Sequence, residues 1–158
     1  MRIKNRGFSL IELLIVVAII LIIAAIAIPN LLRSKMAANE ASAVGSLRTL
    51  NTACVTYATI YGRYPSALSN LQPGSSASST AADLIDSVLA GGVKSGYSFS
   101  YATPGTATGG TAGTTYDITA VPVTVGTTGQ RAFFTDHTGV IRANTTGATP
   151  ARTDPPLS

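Results

Sequence analysis

The sequence predicts an α+β protein: a long N-terminal helix, membrane-spanning in its first half, packed by its second half on a small antiparallel β-sheet head. Three observations carry this prediction. Residues 8–28 form an apolar run with only Ser9 and Glu12 polar. Residues 31–61 then keep a helical apolar spacing up to a Gly62 and Pro65 stop. Beyond Pro65 the composition changes to Gly, Ser and Thr with alternating aromatic and aliphatic segments, the pattern of short strands between turns.

Composition narrows the function classes first. The 158-residue chain is long enough for one ordinary domain with a buried core. Charged residues are only 11% of it, about half the usual share, and no basic run could track a phosphate backbone. No specific nucleic-acid partner is expected. A single Cys excludes an intramolecular disulfide, and one His with seven acids leaves little material for a metal cluster. Three of the eleven cations, Arg2, Lys4 and Arg6, fall in the first seven residues, and the remainder is close to neutral. Cations flanking an apolar run act as topology signals that stay cytoplasmic.

As a helix, residues 8–28 would be about 32 Å long, matching a bilayer core of roughly 30 Å. A plain signal anchor would look similar. A secretory signal peptide is a further alternative, with Ala25-Ile26-Ala27 as its small-residue cleavage site. The run is long for a signal h-region, however, and it begins with a carboxylate. An acid costs on the order of 2.5–3.5 kcal/mol near the centre of a membrane helix, so Glu12 needs a partner or an interfacial position.

Gly7-Phe8-Ser9-Leu10-Ile11-Glu12, placed after a short basic leader and before an unbroken apolar run, resembles the processing site of type IV prepilins and type II secretion pseudopilins. The resemblance implies a pilin-like fold and cleavage between Gly7 and Phe8 by a membrane aspartyl peptidase. It further implies N-methylation of Phe8 and a role for Glu12 in assembly. The implied division is a cleaved leader at 1–7, a transmembrane and assembly helix at 8–28, an amphipathic helix half at 29–62 and a globular head at 63–158. The implied function is a structural subunit of a type IV pilus-like filament, with the major pseudopilin of a type II secretion system as the alternative. Identical subunits, the prepilin peptidase and an inner-membrane platform with its ATPase are the implied partners. Before assembly the chain would sit in the inner membrane as a single pass with a periplasmic head; afterwards it would be an extracellular or periplasmic filament.

Pro29 ends the apolar run. Proline removes a backbone donor and kinks or breaks a helix. Because a helical pattern resumes at once, a kink within a longer helix is expected at Pro29. In the second half, Val44, Leu47, Leu50, Cys54, Tyr57 and Tyr61 form one stripe at steps of three and four. Arg33, Lys35, Glu40 and Arg48 are placed toward solvent or neighbouring subunits. Cys54 on the stripe reads as a small buried hydrophobe, and Tyr57, Tyr61 and Tyr64 as core and corner packing.

In the head, Thr80 and Asp83 resemble a capping pair for a short helix over 80–90, with Leu84, Ile85, Val88 and Leu89 on one face. Strands are expected at 97–102, from Tyr116 into 121–125, at 131–135 and at 140–143, with a mobile loop over 104–114. Asp136-His137-Thr138-Gly139 reads as a hairpin loop. An adjacent Asp and His in a turn do not make a Ser-His-Asp site, so no catalytic residue and no cofactor are expected. The resemblance to major pseudopilins, which bind calcium in a C-terminal loop, makes Asp136 a calcium-ligand candidate, but a weak one, since only Asp154 joins it among the last forty residues. The tail from Asn144 is expected to be loosely held.

Overall fold

The computed structural model describes residues 8–103 and 113–157. The leader residues Arg2, Lys4, Arg6 and Gly7, and most of the 104–114 loop, lie outside the described residues. A single helix, α1, runs Leu10–Tyr61 with Pro29 inside it. The chain divides into two compact units, one up to Lys35 and the other from Met36.

Among the described residues, the first unit is helix from Leu10 onward. Every side chain from Leu13 to Ile28 is apolar, and Leu14, Ile20, Ile22 and Ile28 are all exposed. That is the composition of a helix whose solvent is not water.

The second unit is an α+β head. α1 contributes Ala43, Val44, Leu47, Leu50, Ala53, Cys54 and Tyr57 to its core. The helix ends at Gly62, which adopts a left-handed φ of 72° and donates its N–H to the Ala58 carbonyl at 2.8 Å. A 3-10 turn, Leu68–Leu71, and a four-residue helix α2, Ser87–Ala90, follow. The sheet contains β1 (Val93–Lys94), β2 (Tyr97–Ala102), β3 (Asp117–Pro122), β4 (Ala132–Asp136) and β5 (Arg142–Asn144). Its order is β1-β2-β3-β4-β5 with every neighbouring pair antiparallel, a simple meander. Tyr97, Phe99, Ile118, Ala120 and Phe133 meet the α1 stripe in one hydrophobic core.

The head has one strand, β1, beyond the four expected, and departs from the sequence expectation at four further places. The helix expected over 80–90 is only Ser87–Ala90, and its cap is Asp86, whose carboxylate accepts from Leu89 N at 2.9 Å. Upstream, Ala82, Asp83, Leu84 and Ile85 spend their N–H groups on carbonyls of Asn70, Gln72 and Leu71, so the apolar residues pack as a loop over the 3-10 turn. Asp83 itself sits at φ 54°, outside the helical region. The strand expected through 125 stops at Pro122, after which the chain turns back between Thr124 and Gly129.

Glu40 does not face solvent. It is 8% exposed and bound to the start of β4. The tail is not loose either. Ala143 N donates to Pro155 O at 3.0 Å, Leu157 N to Ile141 O at 2.8 Å, and Arg142 Nη1 to Asp154 O at 2.9 Å. Main-chain pairing along a sheet edge fixes a segment whose composition alone reads as loop.

Candidate functional site

The candidate assembly site is built on the first turn of α1. Ser9 precedes the helix and its backbone N–H donates to Glu12 Oε2 at 3.0 Å. Ser9 and Glu12 stand at N-cap and N3, the spacing of a capping box, and this bond is the arm of that box in which N3 reaches back. Leu13 N donates to Ser9 O at 3.2 Å and starts the helical ladder. A carboxylate in the first turn also complements the positive end of the helix dipole. Glu12 is therefore held one turn into the helix, beside the place where cleavage before Phe8 would create an amine. Sequence reasoning singled out Glu12 but missed the cap, although Ser-x-x-Glu is its signature.

From Leu10 onward α1 is long and apolar enough to cross a membrane by length and composition, and its most apolar stretch is wholly unburied. Pro29 supplies no N–H, so the Ala25 carbonyl finds no helical donor there. One residue on, Asn30 Nδ2 donates to Ile26 O at 3.0 Å and brings an extra donor to the same turn.

In the head the candidate residues have structural partners. Asp136 is buried, and one of its oxygens accepts from Thr138 N at 2.9 Å and from Thr138 Oγ1. Arg152 Nε lies 3.2 Å from its other oxygen, while Arg152 Nη2 contacts Asp117 Oδ1 at 2.8 Å. Asp117 and Asp136 are register partners across β3 and β4, so one guanidinium spans two facing carboxylates. Burial pushes the Asp136 pKa up, but the Thr138 bonds and the Arg152 and His137 charges outweigh it and hold the carboxyl below its usual range. The position weighed for a calcium ligand is thus occupied by a side-chain cation, and no group of three or more His, Cys, Asp or Glu that could hold a metal occurs among the described residues. The 136–139 turn forms as expected, with Gly139 N donating to Asp136 O at 2.9 Å.

Cys54 is fully buried, and loss of solvation pushes its thiol pKa up to about 12, which suits a packing residue. Glu40 is the electrostatic anchor that sequence reasoning missed. Its Oε1 accepts from Gln130 N at 2.9 Å and Arg131 N at 3.0 Å, and its Oε2 from Arg131 Nε at 2.8 Å. Burial raises the Glu40 pKa, yet these donors prevail and lower it.

Comparison with known proteins agrees with the N-terminal geometry. A family model described as the prokaryotic N-terminal methylation motif matches residues 2–28. The type IV major pilin protein PilA of Myxococcus xanthus is 48% identical over 61 residues, 39% of this chain and 28% of that protein. The type II secretion system core protein G of Pectobacterium carotovorum is 35% identical over 63 residues, 40% of each chain. The type IV wide pilus major component PilA4 of Thermus thermophilus is 63% identical over 35 residues, 22% of this chain and 27% of that protein. The matched stretch covers less than half the length of each of these relatives. The chain thus carries the methylation motif, and its relatives are type IV pilins and type II secretion pseudopilins.

Proposed function

We propose that this chain is a structural subunit of a type IV pilus-like filament, cut between Gly7 and Phe8, methylated at Phe8 and polymerised through residues 8–28. The observation that supports this most is Glu12 on the first turn of a helix whose apolar stretch over residues 13–28 is exposed on every side. The basic leader holds the N-terminus in the cytoplasm, which leaves the head periplasmic. Cleavage frees the Phe8 amine. In an array of parallel helices the amine of an arriving subunit meets the Glu12 carboxylate of a neighbour. Each charge offsets the burial of the other, and a subunit out of register leaves both unpaired, so the pair sets the axial stagger. The rest of the helix passes from lipid to a protein bundle without losing its apolar surroundings, and Pro29 lets it kink as it packs. The implied partners are identical subunits, the peptidase, and an inner-membrane platform with a cytoplasmic ATPase. The work is noncovalent assembly.

The test separates charge from capping. Glu12→Gln keeps an oxygen for the Ser9 N–H but removes the charge, whereas Glu12→Ala removes both. Both variants should insert in the membrane, and electron microscopy of shed fibres should find none. Normal fibres from Glu12→Gln would refute the charge-pairing step.

The likeness to core protein G favours a second reading, the major pseudopilin of a type II secretion system. The guanidinium that spans Asp117 and Asp136 weighs against a calcium-dependent head of that kind. Chelator treatment that lowers the melting temperature of the purified chain would restore the pseudopilin reading.

A further inference from the structure

Just past the apolar run, α1 carries two cations, Arg33 and Lys35, both exposed. Among the described residues neither has a hydrogen bond or an ion pair through its side chain. The sequence explains why. It holds no acid between Glu12 and Glu40, so neither cation has a carboxylate three or four positions away. Glu40 is itself taken by Gln130 and Arg131.

The position of the pair along the helix fits a particular layer. At 1.5 Å per residue, Arg33 lies about 7.5 Å and Lys35 about 10 Å beyond Ile28. A bilayer adds roughly 5–8 Å of headgroups to each side of its hydrocarbon core. When residues 8–28 cross that core, Arg33 falls in the headgroup layer and Lys35 at its outer margin. Long cationic side chains bend back along the helix, which brings both within reach of the phosphates. Leu31 and Leu32 are exposed and continue the apolar surface up to the cations. Cleavage after Gly7 would remove Arg2, Lys4 and Arg6, and Arg33 and Lys35 would then be the first cations of the chain.

Their angular placement indicates the kind of partner. Successive helical residues turn by about 100°, so positions 33 and 35 stand about 200° apart, on opposite faces. One flat protein surface would engage only one of them. Lipid headgroups surround the helix and engage both.

We propose that Arg33 and Lys35 form a cationic collar whose occupant is the layer of anionic phospholipid headgroups at the C-terminal end of the span. Phosphate oxygens accept from the Arg33 guanidinium and the Lys35 ammonium, and supply the counter-charge that the neighbouring helix residues do not. The collar fixes how deep the processed helix sits once the leader is gone, and its contacts are released when a subunit leaves the lipid. The inference deepens the filament-subunit reading and rests on residues 8–28 spanning a membrane.

The experiment reconstitutes the full chain in phosphatidylcholine vesicles that contain a minority of phosphatidylglycerol. Electron paramagnetic resonance of spin-labelled phosphatidylglycerol and spin-labelled phosphatidylcholine measures which lipid is held at the protein surface. Arg2, Lys4 and Arg6 stay in every sample, so differences report the collar alone. The parent should prefer phosphatidylglycerol, and Arg33→Gln with Lys35→Gln should lower that preference at least about twofold. Arg33→Lys with Lys35→Arg keeps both charges and should retain it. Arg48→Gln, an exposed cation about 30 Å beyond Ile28 along α1, should leave it unchanged. High salt should weaken the preference in the parent. An unchanged preference in the Arg33→Gln, Lys35→Gln variant, or an equal loss in Arg48→Gln, overturns the proposal. Loss of shed fibres by the double variant with its lipid preference intact also overturns it, because the cations would then serve neighbouring subunits. Resistance to alkaline carbonate extraction reads the span separately. A parent chain that is extracted removes the spanning reading and the collar together, whereas an inserted chain without lipid preference removes the collar alone.

Discussion

Replacing Glu40 by alanine should lower the melting temperature of the head by about 9–15 °C. The carboxylate gathers three donors from the Gln130–Arg131 peptide and the Arg131 guanidinium, roughly ninety residues away in sequence. Alanine leaves two main-chain N–H groups and one cation without their acceptor. The guanidinium is 42% exposed, so its pairing is screened and counts for little. The two N–H groups bonded to a charged acceptor carry most of the loss, about 3 kcal/mol in all after partial rehydration. A unit of roughly 120 residues shifts by about 3–5 °C per kcal/mol, which yields the stated range. Glu40→Gln retains one oxygen acceptor but turns an amide toward a guanidinium, and should cost about half as much. All six tyrosines lie in the head and tryptophan is absent, so the tyrosine band of the near-UV circular dichroism of the full chain in detergent reports this unit alone. A shift below about 3 °C for Glu40→Ala would show that the contact does not tie β4 to α1.

Other outcomes follow from the same packing. Leu50→Ala, at a fully buried position, should cost about 2–5 kcal/mol by denaturant titration, while Val55→Ala, on the exposed face of α1, should stay within about 0.5 kcal/mol. Equal effects would misplace the stripe. Cys54, buried and with its pKa near 12, should resist alkylation at pH 8 until denaturant is added; rapid native labelling would contradict that burial. Glu40 and Asp136 both have lowered folded pKa values, so their contribution is complete above the ordinary carboxylate range near pH 4. It is lost as the pH falls through their folded values. Melting temperatures measured from pH 7 down to pH 2 should hold level to about pH 5 and then drop. A profile flat to pH 2 would show that neither carboxylate is stabilised by its partners.

The parts of the molecule that were legible in the sequence share one property: their signal is local. The methylation motif lies within residues 2–28. The α1 stripe at Leu47, Leu50, Cys54 and Tyr57 repeats at helical spacing, and Tyr97, Phe99 and Tyr101 alternate within one strand. The parts that were illegible depend on distant partners. Glu40 looks like any charged helix residue until the main chain at Gln130 closes over it. Leu84 and Ile85 have helical spacing, but the carbonyls of the 3-10 turn compete for their N–H groups and win. Residues 154–157 have the Pro-rich composition of a loop, and only the free edge of β5 converts them into a strand-like cover. The capping arm from Glu12 to Ser9 was a different case, being local and readable, but overshadowed by the search for an intermolecular partner.

The account rests on where the mature chain begins. Mass spectrometry of the N-terminal peptide from the protein in shed filaments is the most direct measurement. The account predicts a chain that starts at Phe8 and carries one methyl group on its amine. A chain that retains residues 1–7, or starts after Ala27, would contradict it.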